Sequence, residues 1–148
     1  MSTSPPSTPI TVLLVEDDPG DVLMTREALA DSKLLNELAV ASDGEGAIEY
    51  LRSAAETGTP KKPDLILLDL NLPRVDGRDV LKFVKSHERL RRIPVVILTT
   101  SSSEEDIARS YDLHANAYVT KPVDFEQFME VVRKVDDFFI TVVSRART

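Results

Sequence analysis

The feature that most constrains this chain is a short apolar run, Leu65-Ile66-Leu67-Leu68, that ends on a carboxylate, Asp69. Consecutive large apolar residues without polar alternation describe a strand buried on both faces. Such a strand belongs inside a parallel sheet covered by helices. A charge at its end is costly to bury unless another group neutralises it. Glu16, Asp17 and Lys121 stand near the ends of other apolar segments and are the candidates for that role.

The rest of the chain repeats the alternation. Thr11–Val15, Glu37–Ala41, Asp64–Asp69, Val95–Thr99 and Ala117–Thr120 read as five strands. Asp18-Pro19 opens a first helix to about Ser32, with Asp18 as cap and Pro19 in the first helical position. Its mostly apolar face is Val22, Leu23, Arg26, Leu29 and Ala30. Gly44–Ser53 is a second helix with Ala47, Ile48 and Leu51 inward. Its Gly44-Glu45-Gly46 start lacks the third glycine of a phosphate loop. Ala54–Pro63 reads as a solvated loop. Val80, Leu81, Phe83 and Val84 mark a third helix and Glu104–Tyr111 a weak fourth. Asp124 caps a fifth that extends to Ser144. Residues 1–9 are Ser, Thr and Pro with little to bury, and read as a disordered leader before one domain over 10–148.

Strands alternating with helices imply a mostly parallel sheet covered on both faces. Such sheets place their sites outside the carboxyl ends of the strands. Glu16, Asp17, Asp69, Thr99 and Lys121 all fall at or just past such ends. They come from four strands, so local spacing does not explain the coincidence.

Composition narrows the function classes. The 148 residues, 42% hydrophobic and 29% charged, suffice for one soluble domain with a real core. A net charge of −7 argues against a nucleic-acid surface. The chain has no Cys, hence no disulfide or thiolate chemistry, which fits a reducing compartment. No run reaches the ~18 apolar residues of a membrane span. No basic region followed by an apolar stretch marks a signal peptide. A cytoplasmic location is the resulting expectation.

Carboxylates gathered in one pocket repel each other, and a divalent cation removes that penalty. Hard oxygen donors suit Mg²⁺. Lys121 can meet phosphate oxygens as a point charge, and Thr99 offers a hydroxyl on the same rim. Asp18 is assigned to capping instead, where the helix dipole favours an acid. Pro122 fixes a tight loop after Lys121 and admits a cis bond. His87 and His114 have no partner carboxylate or ligand spacing and read as surface residues. Phe125, Phe128, Phe138, Phe139 and Ile140 exceed what one buried helix face needs, so part of this set is expected to form a partner or dimer surface.

Four of these motifs occur in the order found in a known family. Glu16-Asp17-Asp18, Asp69-Leu70-Asn71-Leu72-Pro73, Thr99 and Lys121-Pro122 together resemble the receiver domain of two-component response regulators, over Ile10 to Val143. Leu90–Ser101 and Ala115–Pro122 are similar to the single-domain regulators that serve bacterial phytochromes. The resemblance implies a flavodoxin-like (βα)5 doubly wound five-stranded sheet of order 2-1-3-4-5. It implies that Asp69 accepts a phosphoryl group from a sensor histidine kinase. Asp17, Glu16, Asp69 and the backbone carbonyl of Asn71 would hold Mg²⁺, while Lys121 and Thr99 would contact the phosphoryl oxygens. Thr99 and Tyr118 would then switch the surface of helix four, strand five and helix five. Glu16 and Thr100 depart from the commoner Asp and Ala of the family.

Competing readings fail on single residues. A haloacid dehalogenase-type phosphatase needs a second Asp as general acid two residues after the nucleophile, where Asn71 stands. A flavodoxin needs a phosphate loop where Glu16-Asp17-Asp18 would repel phosphate. A receiver-fold scaffold that is not phosphorylated would have lost the acids or the lysine. The short chain after the receiver is expected to leave output to the domain's own surface, through a homodimer or a docked partner.

Overall fold

The computed structural model describes residues 10–30, 36–72, 75–99 and 117–120. Eight elements follow in chain order: β1 (Ile10–Val15), α1 (Pro19–Ala30), β2 (Asn36–Ala41), α2 (Gly44–Thr57), β3 (Leu65–Asp69), α3 (Gly77–Ser86), β4 (Val95–Thr99) and β5 (Ala117–Thr120). The expected leader, fourth and fifth helices, and His114, Lys121, Pro122, Phe138, Phe139 and Ile140 lie outside the described residues.

The strands form one parallel sheet of order β2-β1-β3-β4-β5. The apolar run of β3 explains its central place: all five of its residues are buried. Leu13, Val15, Ile66, Leu68, Val95 and Ile97 share a core with Ala47, Leu51 and Ala55 of α2 and Val80, Leu81 and Val84 of α3. The alternate residues Val12, Leu14, Leu65, Leu67, Val96 and Leu98 are also buried, so both sheet faces are covered. Below the sheet's centre, Asp64 ties the entry of β3 to β1. Its carboxylate accepts the Thr11 amide at 2.8 Å and its own amide donates to the Thr11 carbonyl at 2.7 Å.

Two helices differ from the sequence reading. On α1, Leu23 is 56% exposed and Ala30 is exposed, while Thr25 is buried. The Thr25 hydroxyl donates to the Asp21 carbonyl at 2.8 Å, which satisfies it inside and makes Val22, Thr25 and Leu29 the inward stripe. On α2, the helix continues four residues past Ser53. Ala54 and Ala55 extend its buried face, so the expected loop is solvated only after Thr57. Gly58, at φ 77°, supplies the left-handed stop. Within that loop Pro63 is buried too.

His87 is likewise no free surface residue. It terminates α3, its Nδ1 accepts the Arg89 amide at 3.2 Å, and its ring lies 5.8 Å from that of Phe83.

Candidate phosphoacceptor and metal site

The parallel register brings the acids together. Val15 pairs with Leu68, and Asp69 with Leu98. The residues just after β1 and at the end of β3 therefore share one rim, with Thr99 one step further on β4. Glu16 stays in the sheet's hydrogen-bond pattern by donating its amide to the Ala41 carbonyl at 3.0 Å. Its side chain is 1% exposed, and that of Asp69 is 2% exposed. Asp17 is exposed. Each of the three offers a carboxylate oxygen, and these oxygens all lie within 4.8 Å of one another.

Local bonds set the carboxylates. Glu16 accepts the Asp18 amide at 3.2 Å. Asp69 Oδ1 accepts the Asn71 amide at 2.9 Å, an Asx-type turn that aims the following loop. A carboxylate has about four lone-pair sites, so Asp69 can accept several partners at once. Asp18 caps α1: its Oδ1 accepts the Gly20 amide at 3.2 Å and its carbonyl the Val22 amide at 3.0 Å.

A further device escapes the sequence reading. Asp76 caps α3 by accepting the amides of Arg78 at 2.8 Å and Asp79 at 3.2 Å. Gly77 then donates its amide to the Leu70 carbonyl at 3.1 Å, which brings the start of α3 against the backbone that carries Asp69. The Asp76-Gly77 pair ahead of an apolar helix was the available signal.

The donor set has the chemistry of a hard-cation site. Oxygens around Mg²⁺ stand about 2.0–2.1 Å from the ion, so ligands of one ion lie no more than about 4.2 Å apart. The three carboxylates need only a small inward movement to meet that spacing. Without a cation, three like charges would face one another on a largely buried rim.

Residues 12–133 match the response regulator receiver domain. The chain belongs to this family. The response regulator Rcp1 of Synechocystis sp. is 41% identical over 136 residues, 92% of either chain. The solved structure of the phosphorylated cyanobacterial phytochrome response regulator RcpA superposes on this receiver with a TM-score of 0.77 at 45% identity, covering 90% of this chain and 96% of that one. The Mn²⁺-bound form of Rcp1 superposes with a TM-score of 0.76 at 41% identity, with the same coverage of 90% and 96%. The flavodoxin-like fold and strand order expected from the resemblance are those of this receiver. Among the described residues, no helix is long and apolar enough to cross a membrane.

Proposed function

We propose that this receiver is a phosphoacceptor switch in which Asp69 takes a phosphoryl group from a phosphohistidine of a sensor kinase. In that step an Asp69 carboxylate oxygen forms the new O–P bond as the N–P bond breaks. The histidine nitrogen leaves with the electron pair. The observation that carries the reading is the convergence of Glu16, Asp17 and Asp69 within 4.8 Å at the carboxyl end of the sheet.

Phosphoryl transfer asks mainly for positioning and charge neutralisation. The Asn71 amide orients the Asp69 carboxylate. Glu16, Asp17, Asp69 and the Asn71 carbonyl would hold the metal, which supplies positive charge against the phosphoryl oxygens. The all-oxygen donor set favours Mg²⁺, and the Mn²⁺-bound form of Rcp1 supports a divalent ion. Lys121 and the Thr99 hydroxyl would meet the phosphoryl oxygens. Thr99 and Tyr118 would then shift the population of two surface arrangements. Phe138, Phe139 and Ile140 are proposed as the surface for a homodimer or docked partner, to be tested by light scattering before and after phosphorylation.

The kinship with the phytochrome response regulator RcpA supports a phytochrome-linked histidine kinase as donor, and a cytoplasmic location for this receiver is proposed with it. The Asn71 carboxamide is not acidic enough to serve as the general acid for a leaving group, which disfavours a phosphatase of the haloacid dehalogenase type.

The test is incubation with a small acyl phosphate donor and Mg²⁺, followed by intact mass. The native chain gains one phosphoryl group and Asp69→Asn gains none. Equal labelling of both would overturn the assignment.

A further inference from the structure

The end of the sheet opposite the acids carries the reverse charge. Residues 61–64 lead into β3 and Glu88, Arg89 and residues 91–94 lead into β4, and together they wall an open cavity of about 740 Å³. Asp69 closes β3 and Asp64 precedes it. The length of a five-residue strand, roughly 15 Å, therefore separates this cavity from the acid site.

The lining is basic within an acidic protein. Lys61, Lys62, Arg89, Arg91 and Arg92 contribute five cations against the carboxylates of Asp64 and Glu88. The Asp64 carboxylate is already engaged by the Thr11 amide and by Lys61 at 3.9 Å. Lys62, Arg91 and Arg92 are exposed, and neither of the two salt bridges described uses them. The sequence hides this cluster because its halves lie far apart along the chain and the net charge has the opposite sign.

The walls are held in place before any ligand arrives. Lys85 Nζ donates to the carbonyls of Arg91 at 3.2 Å and Ile93 at 3.5 Å. Arg89 Nη1 reaches the Ala55 carbonyl at 3.0 Å. Helical-type bonds from Arg91 to His87 and from Ile93 to Leu90, both 2.9 Å, fix the basic loop over the buried Leu90. Ile93 and Pro94, both half-buried, provide apolar surface between the charges, over the buried Pro63.

We propose that this groove binds a small phosphate-rich anion of the nucleoside polyphosphate class. Guanidinium forks match phosphate oxygens in pairs, and two exposed arginines stand next to each other here. The apolar residues offer a surface for a flat base. The volume falls within the roughly 300–1,000 Å³ of small-molecule sites. An acidic protein segment would call for an extended face, whereas these cations line one short open groove between two loops. The site stands apart from Asp69 and does not depend on its phosphorylation.

The test is calorimetric titration of the full chain with ATP at low salt in EDTA, which keeps the acid site free of metal. Pyrophosphate and adenosine form the control arms. Saturable ATP binding at one equivalent is expected, with weaker pyrophosphate binding and none for adenosine. Arg91→Ala/Arg92→Ala should bind ATP about tenfold or more weakly, since hydrogen bonds to charged groups are worth about that much. Its urea midpoint should match the native one, as both side chains are exposed. Asp69→Asn should bind ATP like the native chain, so that failure at this groove and failure of the phosphoacceptor reading are told apart. Affinity should fall with salt. Absence of ATP binding, or binding unchanged in the double variant, would overturn the proposal. So would binding to anionic phospholipid vesicles or an oligonucleotide without binding to ATP.

Discussion

Gly77 sits directly against the backbone of Asp69. A Cβ built on Gly77 would overlap the Asp69 carbonyl oxygen and come within 2.7 Å of the Leu70 Cα. These are buried backbone atoms at and just past the end of the central strand and cannot swing aside. Gly77→Ala should therefore destabilise the domain by about 2–3 kcal/mol, the scale of an overpacked core. It should also displace the Asp69 carboxylate and slow labelling by a phosphoryl donor. Gly20→Ala is the control, because a Cβ there would meet only Asp18 oxygens at 3.7 and 3.8 Å. Urea unfolding and labelling rates of both variants check this. An Ala at 77 as stable and as reactive as the native chain would mean that the contact positions nothing.

The acid rim is expected to weaken the fold that carries it. Three carboxylates with oxygens within 4.8 Å repel one another when no cation is present. Asp69→Asn removes one charge and keeps an oxygen for the Asn71 amide. In EDTA this variant should be more stable than the native chain by about 1 kcal/mol, a modest value for a partly solvated cluster. Added Mg²⁺ should reverse the order, since a ligand that binds only the folded state stabilises it by mass action. Parallel urea titrations with and without Mg²⁺ check both halves. A variant less stable than the native chain in EDTA would count against the repulsion.

How far the sequence reaches is clear from particular residues. Leu65–Asp69 and Val95–Thr99 were legible because consecutive β-favouring apolar residues bounded by Pro or a charge leave few alternatives. Glu16, Asp17 and Asp69 were legible as a group because a parallel sheet brings its strand ends to one rim. The extension of α2 was not, because Ala54 and Ala55 carry little signal and the real stop is Gly58. The inward turn of Thr25 depends on a bond to the Asp21 carbonyl, which hydropathy alone does not contain. The Gly77 contact and the basic groove are tertiary facts, since each joins segments whose sequences say nothing of one another.

Lys85 gives the groove a pH signature. Its Nζ holds the carbonyls of Arg91 and Ile93, and burial pushes its pKa below the ordinary lysine value of 10.5. The folded state thus releases this proton at a lower pH than the unfolded chain does. Between the two pKa values the unfolded state binds more protons, so this group's contribution to stability rises with pH there. Burial instead pushes the Tyr50 phenol up from 10.0, and its contribution falls as pH passes that value. A comparison with Lys85→Met isolates the lysine. Native stability relative to the variant should increase as pH rises toward 10.5 and level off above it. A flat difference in unfolding free energy would show that Lys85 titrates normally and a falling one that its pKa is raised, and either would overturn the expectation.

Adjacent acids in one tripeptide should behave as different kinds of residue. Asp17 contributes an oxygen to the carboxylate group with Glu16 and Asp69, whereas Asp18 spends its Oδ1 on the Gly20 amide at the start of α1. Asp18→Ala should cost about 1 kcal/mol of stability, the usual value of a lost N-cap. Its Mg²⁺ affinity should stay within about threefold of native, a change below about 0.7 kcal/mol. Asp17→Ala removes a charged ligand without removing a cap. It should leave stability in EDTA unchanged or slightly raised, and weaken Mg²⁺ binding by about tenfold or more, equivalent to about 1.4 kcal/mol. Calorimetric titration with Mg²⁺, paired with urea unfolding in EDTA, separates the two effects. Equal losses of metal affinity in both variants would place Asp18 in the metal site and remove its assignment as a cap alone.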